Sequence, residues 1–279
     1  MQRKTLKKML AQKKTLVMGI LNVTPDSFSD GGKYNTVEKA VKRAMQMEQE
    51  GADIIDIGGE STGPGSKNVT VECELQRVLP VLKLLRNRSN ILISVDTYKA
   101  EVAKEVLQAG ADLINDVTAL RGDKKMAVVI AESGVPLVLM YSKDNSARTI
   151  LADPGYNDVL KTITDFLQRR IKYALTNGIK RDQLIVDPGM GAFVSSNPIY
   201  SLQILSRLAS LKKLKLPILI GPSRKSYIGK VLDLPINERL EATLAACVTA
   251  QLHGASILRV HDVKETRRVV DMVNAITNS

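Results

Sequence analysis

The chain has 279 residues, 44% hydrophobic and 25% charged, a composition that excludes disorder and fibrous repeats. Its 40 Lys and Arg against 29 Asp and Glu give a formal charge of +11, which favours small anionic partners such as phosphates. With 4% aromatics, no Trp and no apolar run near ~18 residues, neither a stacking platform for nucleic acid nor a membrane span is expected.

Residues 1–15 carry Arg3, Lys4, Lys7, Lys8, Lys13 and Lys14 and no acids. No apolar stretch follows these charges as a signal peptide requires, so the segment reads as a solvated basic lead-in. From residue 16 to 279 one alternation repeats. Short apolar, β-branched runs are each followed by an amphipathic segment. The strands fall at 16–23, 53–57, 91–95, 112–117, 136–140, 183–186, 217–220 and 256–260. The first long helix shows its apolar spacing at Val37, Ala40, Val41, Ala44 and Met47, and Asn35 with Glu38 reads as its N-cap pair. Gly51, Gly110, Gly134, Gly178 and Gly254 each close a helical segment just before the next strand. Cys73 and Cys247 lie in apolar helical patterns and read as reduced thiols of a cytoplasmic protein.

Eight strand–helix units in this length predict a single-domain (β/α)8 barrel, with an open doubly wound sheet as the alternative. Neither G-x-G-x-x-G nor a P-loop occurs. In a barrel the strand ends meet over one mouth. Here nearly every strand ends in a polar residue: Asn22, Asp56, Asp96, Asn115 with Asp116, Asp187, Ser223 through Ser226, and Arg259 with His261. Asp96, Asn115 and Asp187 are acceptors that suit a flat heterocycle with amino and ring N–H donors, and Lys225 could donate to a ring carbonyl beside them. Arg259, His261 and Asn22 suit a phosphate or diphosphate. Asn22 could also offer its carbonyl oxygen to a diphosphate-bound Mg²⁺. Glycine- and proline-rich loops follow strands 1, 2 and 6, and Phe28 is a lone aromatic in the first of them.

Residues 18–32, Met-Gly-Ile-Leu-Asn-Val-Thr-Pro-Asp-Ser-Phe-Ser-Asp-Gly-Gly, resemble the first signature of the dihydropteroate synthase family. Residues 51–62, Gly-Ala-Asp-Ile-Ile-Asp-Ile-Gly-Gly-Glu-Ser-Thr, resemble the second. Ser94–Thr97, Asn115-Asp116, Asp187–Gly189, Ser223–Ser226 and Arg259–His261 follow in the family's order. The resemblance runs from about residue 16 to 276. It implies a homodimeric (β/α)8 barrel that joins 6-hydroxymethyl-7,8-dihydropterin diphosphate to p-aminobenzoate. It also implies a pterin pocket of Asp96, Asn115, Asp187 and Lys225 with Met140 on the ring. The diphosphate site would be Asn22, Arg259 and His261 with Mg²⁺. The p-aminobenzoate site would be Thr62, Pro64 and Ser226, with Phe28 on the first loop. Asp96 and Asp187 then act as binding and electrostatic groups, not as bases, because an aniline is already a neutral nucleophile.

Three departures lie on the second-substrate side. The second loop reads Ser61-Thr-Gly-Pro-Gly65 where the family has arginine at the third position. The fifth strand is followed by Tyr141-Ser142 and then Lys143–Ile150. Ala192 stands where an aromatic is usual, with Phe193 one position later. Lys67 and Arg148 are the candidate replacement cations, and reduced sulfonamide sensitivity is the expected consequence. A methyltetrahydrofolate methyltransferase and a non-enzymatic pterin- or nucleic-acid-binding protein are the competing readings; the first-loop motif and Ser-Arg-Lys-Ser favour the synthase.

Overall fold

The computed structural model describes residues 5–12, 14–24 and 33–279, with side chains of the 33–279 segment described from 37 onward. All eight expected strands form: β1 (Leu16–Asn22), β2 (Ile54–Gly58), β3 (Leu92–Asp96), β4 (Leu113–Asp116), β5 (Leu137–Met140), β6 (Leu184–Asp187), β7 (Leu219–Ile220) and β8 (Ile257–Val260). Every pairing is parallel, in the order β6-β5-β4-β3-β2-β1-β8-β7. A parallel bridge between Val186 and Ile218 joins the two ends, with the Val186 amide donating to the Pro217 carbonyl at 3.0 Å. The sheet is thus a barrel rather than an open sheet.

Helices α1 (Leu6–Ala11), α2 (Lys33–Gln49), α3 (Val71–Arg88), α4 (Ala100–Gln108), α5 (Met126–Ser133), α6 (Val159–Thr176), α7 (Pro198–Ser206), α8 (Ser226–Leu232), α9 (Leu240–Leu252) and α10 (Val263–Thr277) complete the fold. The five helix-closing glycines all adopt positive φ. The expected N-cap pair is displaced: α2 begins at Lys33, which puts Asn35 inside its first turn rather than before it. Thr70 and Asp158 do cap α3 and α6, accepting the Cys73 and Lys161 amides at 3.2 and 3.0 Å.

The core has two main parts. One lies between the barrel and its helices. The other fills the barrel interior with Leu16, Met18, Ile54, Leu92, Leu113, Val138, Ile185, Leu219 and Ile257. Leu6 of α1 belongs to this inner layer, with Met9 and Leu10 packed against it. The lead-in was expected to be solvated; instead, part of it forms a helix whose apolar face covers the bottom of the barrel, while its lysines face water.

Candidate active site

Strand parity builds the site. Side chains two apart on a strand share a face. On six of the strands an inner-layer residue is therefore followed, one step toward the mouth, by a residue of the site: Ile54 by Asp56, Leu92 by Ser94 and then Asp96, Leu113 by Asn115, Val138 by Met140, Ile185 by Asp187, and Ile257 by Arg259. The apolar plug below excludes water and forces these polar groups to satisfy one another or a ligand.

Arg259 is the hub. Its Nε donates to Asp56 Oδ2 at 2.6 Å and its Nη2 to Asp96 Oδ2 at 2.9 Å. Asn115 Nδ2 donates to the same Asp56 oxygen at 3.1 Å. Among the described residues Asp56 Oδ1, Asn115 Oδ1 and Ser94 Oγ are buried without a partner. Burial pushes the Asp96 carboxyl up; Arg259 opposes this, while Asp56, Glu74 and Asp116 add to it. Arg259 therefore pairs with the carboxylates of the expected pterin side, although residue type assigned it to a phosphate. Side-chain type alone separated these two groups of residues, and the barrel joins them.

Asp187 lies at the end of β6. Its Oδ1 accepts the Gly189 amide at 2.7 Å. Gly189 has φ +66°, and a Cβ there would stand 2.4 Å from the Tyr141 carbonyl oxygen, so the turn that aims Asp187 requires glycine. Burial raises Asp187 to about 6, opposed by Lys225, and lowers Lys225 to about 8, opposed by Asp187. Lys225 Nζ donates to the Met190 carbonyl at 3.3 Å and lies 5.4 Å from the Phe193 ring centroid. Met140 forms a small apolar cluster with Val117 and Ala147, flanked by Tyr98 and Phe193. An apolar wall thus stands beside a row of acceptors, which suits a flat polar ring.

His261 and Ser223 meet just beyond the ends of β8 and β7. Ser223 Oγ is 3.0 Å from His261 Nδ1 and accepts the His261 amide at 3.2 Å. Burial and the Arg259 charge hold the His261 imidazole down at about 4, so it is neutral at physiological pH. Arg224, in the same Ser-Arg-Lys-Ser run, points away into a two-pronged pair with Asp262 at 2.8 Å for both bonds. Asn22 is exposed at the end of β1. Phe28 lies outside the described residues.

The loops expected on the second-substrate side are tied together. Thr62 is half-buried, and Pro64 and Ser226 are exposed. The Thr149 amide donates to the Thr62 carbonyl at 3.1 Å. Lys143 Nζ, nearly buried, bonds Asp144, Thr149 Oγ1, the Ile150 carbonyl and the Ala192 carbonyl at 2.7 to 2.8 Å, which fastens the loop after β5 to the loop after β6. Arg148 crosses to the loop after β2, where it pairs with Glu60 and Asn68 and donates to the Lys67 carbonyl at 3.0 Å. Glu60 in turn pairs with Lys99, which also holds Glu74, both at 2.5 Å. Of the two candidate cations, Arg148 is the one drawn onto the loop that lacks arginine; Lys67 contributes only its carbonyl to that contact.

Residue type did not assign roles to Asp56, Ser94, Ser223 or Phe193. Asp56 and Ser94 carry a readable signal, because each stands two places after an inner-layer residue on its strand.

A model of the pterin-binding enzyme family matches residues 18–261. The chain belongs to this family. Within it, the dihydropteroate synthase of Bacillus subtilis (strain 168) is 44% identical over 267 residues, covering 96% of this chain and 90% of that protein. The Xanthomonas albilineans dihydropteroate synthase, solved with 4-aminobenzoic acid, superposes with a TM-score of 0.89 at 41% identity, covering 95% of this chain and 94% of that one. The Yersinia pestis dihydropteroate synthase, solved with a sulfonamide drug, superposes at 0.88 and 40% identity, covering 97% and 96%. This pterin-binding enzyme is accordingly a transferase of the dihydropteroate synthase kind, working in folate synthesis. The (β/α)8 reading holds and the open-sheet alternative falls.

Proposed function

We propose that the barrel mouth joins 6-hydroxymethyl-7,8-dihydropterin diphosphate to p-aminobenzoate, giving 7,8-dihydropteroate and diphosphate. The observation that carries this reading is the set of buried, partly unpartnered acceptors around Arg259 beside the Met140 and Phe193 wall. The pterin amino and ring N–H donors would pair with Asn115 Oδ1 and the Asp96 and Asp187 carboxylates, and Lys225 would donate to the ring carbonyl. Arg259, the neutral His261 ring and Asn22 would face the diphosphate. The carbon–oxygen bond of the pterin CH₂–O group breaks, the electron pair leaves with diphosphate, and the aniline nitrogen forms the new bond to carbon before losing a proton. The site separates charge to match: cations face the leaving anion and carboxylates face the electron-poor ring. Such fixed charge in a water-poor site is commonly the largest catalytic contribution.

Mg²⁺ fits as a substrate-borne ion. Among the described residues there is no cluster of three His, Cys, Asp or Glu to bind it alone. Mg²⁺ ordinarily takes only one or two protein ligands when phosphates supply the rest. Asn22 Oδ1 would supply such a ligand, and a bound Mg²⁺ would neutralise the leaving diphosphate. Thr62, Pro64 and Ser226 would seat p-aminobenzoate. The working unit is the barrel of residues 16–279, preceded by the basic lead-in of residues 1–15, whose α1 packs at the far end of the barrel. A cytoplasmic setting agrees with the free thiols of Cys73 and Cys247, and a homodimer would cover exposed Ile199 and Leu202 on α7 and Val231 and Leu232 on α8. The test is release of diphosphate on mixing the two substrates; dihydropteroate must appear in equal amount.

A further inference from the structure

We propose that Ser223 is a positioning residue that locks His261 in its Nε2–H tautomer, so that the ring enters the proposed diphosphate site as a neutral, one-way hydrogen-bond donor. This rests on, and deepens, the leaving-group reading above.

The argument is one of hydrogen-bond supply. The Ser223 hydroxyl is buried, so its hydrogen needs an acceptor. Its oxygen already accepts the His261 backbone amide at 3.2 Å. Among the described residues the acceptor within reach of its hydrogen is His261 Nδ1, at 3.0 Å. Nδ1 must then present a lone pair, and in a neutral imidazole the proton sits on Nε2. The reverse arrangement, with Nδ1–H donating to Ser223, would leave the hydroxyl hydrogen buried without a partner. Both contacts come from the same two residues, so the backbone amide holds the hydroxyl in place while the hydroxyl sets the ring.

The surroundings favour the neutral ring as well. Burial, Arg259, Arg224 and Lys225 all oppose a positive charge on the ring, and Asp262 favours one. A donor without charge can bind a phosphate oxygen in such a place without repelling the guanidinium beside it. It also leaves the ring with no free lone pair toward the site, so it cannot compete for the aniline proton.

The other histidine supplies an internal reference. The chain has two. His253 Nδ1 lies 2.8 Å from the Leu205 carbonyl, which only accepts, so His253 carries its proton on Nδ1. The two rings should therefore differ at Nδ1 in one spectrum: a lone pair on His261 and a proton on His253.

The experiment is a long-range proton–nitrogen correlation on the full chain labelled with ¹⁵N-histidine at neutral pH, the His253 signals being assigned with His253→Gln. The expected result is protonated Nε2 and unprotonated Nδ1 for His261, and a protonated Nδ1 for His253. In Ser223→Ala the His261 nitrogens should move to averaged positions and the KM for pterin diphosphate should rise about tenfold, with Ser223→Thr restoring the tautomer. A protonated Nδ1 on His261 in the wild type, or unchanged ring signals in Ser223→Ala, overturns the proposal. Should Ser223→Ala not fold, the wild-type assignment decides alone. Inorganic diphosphate is then added to the wild type: a shifted Nε2–H signal supports the leaving-group reading, whereas an unmoved signal overturns that reading and leaves the tautomer lock standing.

Discussion

Replacing Arg259 with methionine removes the cation shared by two carboxylates while keeping much of its apolar stem. Asp56 is fully buried and Asp96 is 17% exposed, and both side chains bond the guanidinium. Removing one partner of a buried ion pair generally costs about 3–5 kcal/mol, because the remaining charge stays buried. For a chain of this size that is a fall of roughly 5–9 °C in melting temperature. The loss should depend on pH. Without Arg259 the carboxylate that already rides high is forced to hold its proton in the folded state. A folded pKa above the unfolded one means the native state binds more protons, so stability returns as pH falls through the folded value toward the unfolded one. One such carboxylate recovers about 1.4 kcal/mol per pH unit, or about 3 kcal/mol between about pH 7.5 and about pH 5. Adding Asp56→Asn to Arg259→Met should recover part of the loss at the higher pH and little at the lower. Denaturant titrations of wild type, single and double variants at both pH values measure this. A loss below about 1 kcal/mol, or one that is the same at both pH values, would show that Arg259 is not the hub that compensates these buried carboxyl groups.

Asp187→Ala should weaken pterin diphosphate binding by roughly 1–3 kcal/mol, read by calorimetry, since a ligand donor loses its buried acceptor. In the wild type the same interaction needs the ionised carboxylate, so binding through Asp187 should be full above about pH 6 and fall as pH drops through that value. Arg259→Ala and His261→Ala should weaken binding of the diphosphate more than that of a pterin lacking it; equal losses would count against their leaving-group role. Gly63→Arg should fold unimpaired, because a Cβ there meets nothing closer than Ser61 Oγ at 3.8 Å. It should change the KM for p-aminobenzoate and sulfonamide inhibition by unequal factors, and Arg148→Ala should do so as well; changes under about twofold in both would remove these loops from second-substrate selection.

The architecture was legible because its signals are local. Buried parallel strands need continuous apolar runs, and helix ends before each strand need a left-handed residue, so eight runs and five glycines specify the barrel from the chain alone. Side-chain chemistry at the strand ends likewise marked Asp96, Asn115, Asp187 and Lys225 as one group and Arg259 and His261 as another. The pairing among them was not legible. Arg259 meets Asp56 across 203 positions of sequence and Asp96 across 163. Only closure of the barrel, which brings β8 beside β1 and turns β2 and β3 toward the same interior, puts them together. The loops show the same division. Sequence marked Gly63 and the segment after β5 as unusual, but only the tertiary structure carries Arg148 over to Glu60 and Lys143 over to Ala192. These contacts are set by where distant loops come to rest on a common rim. A residue's type states what it can bond, and the fold decides which partner arrives.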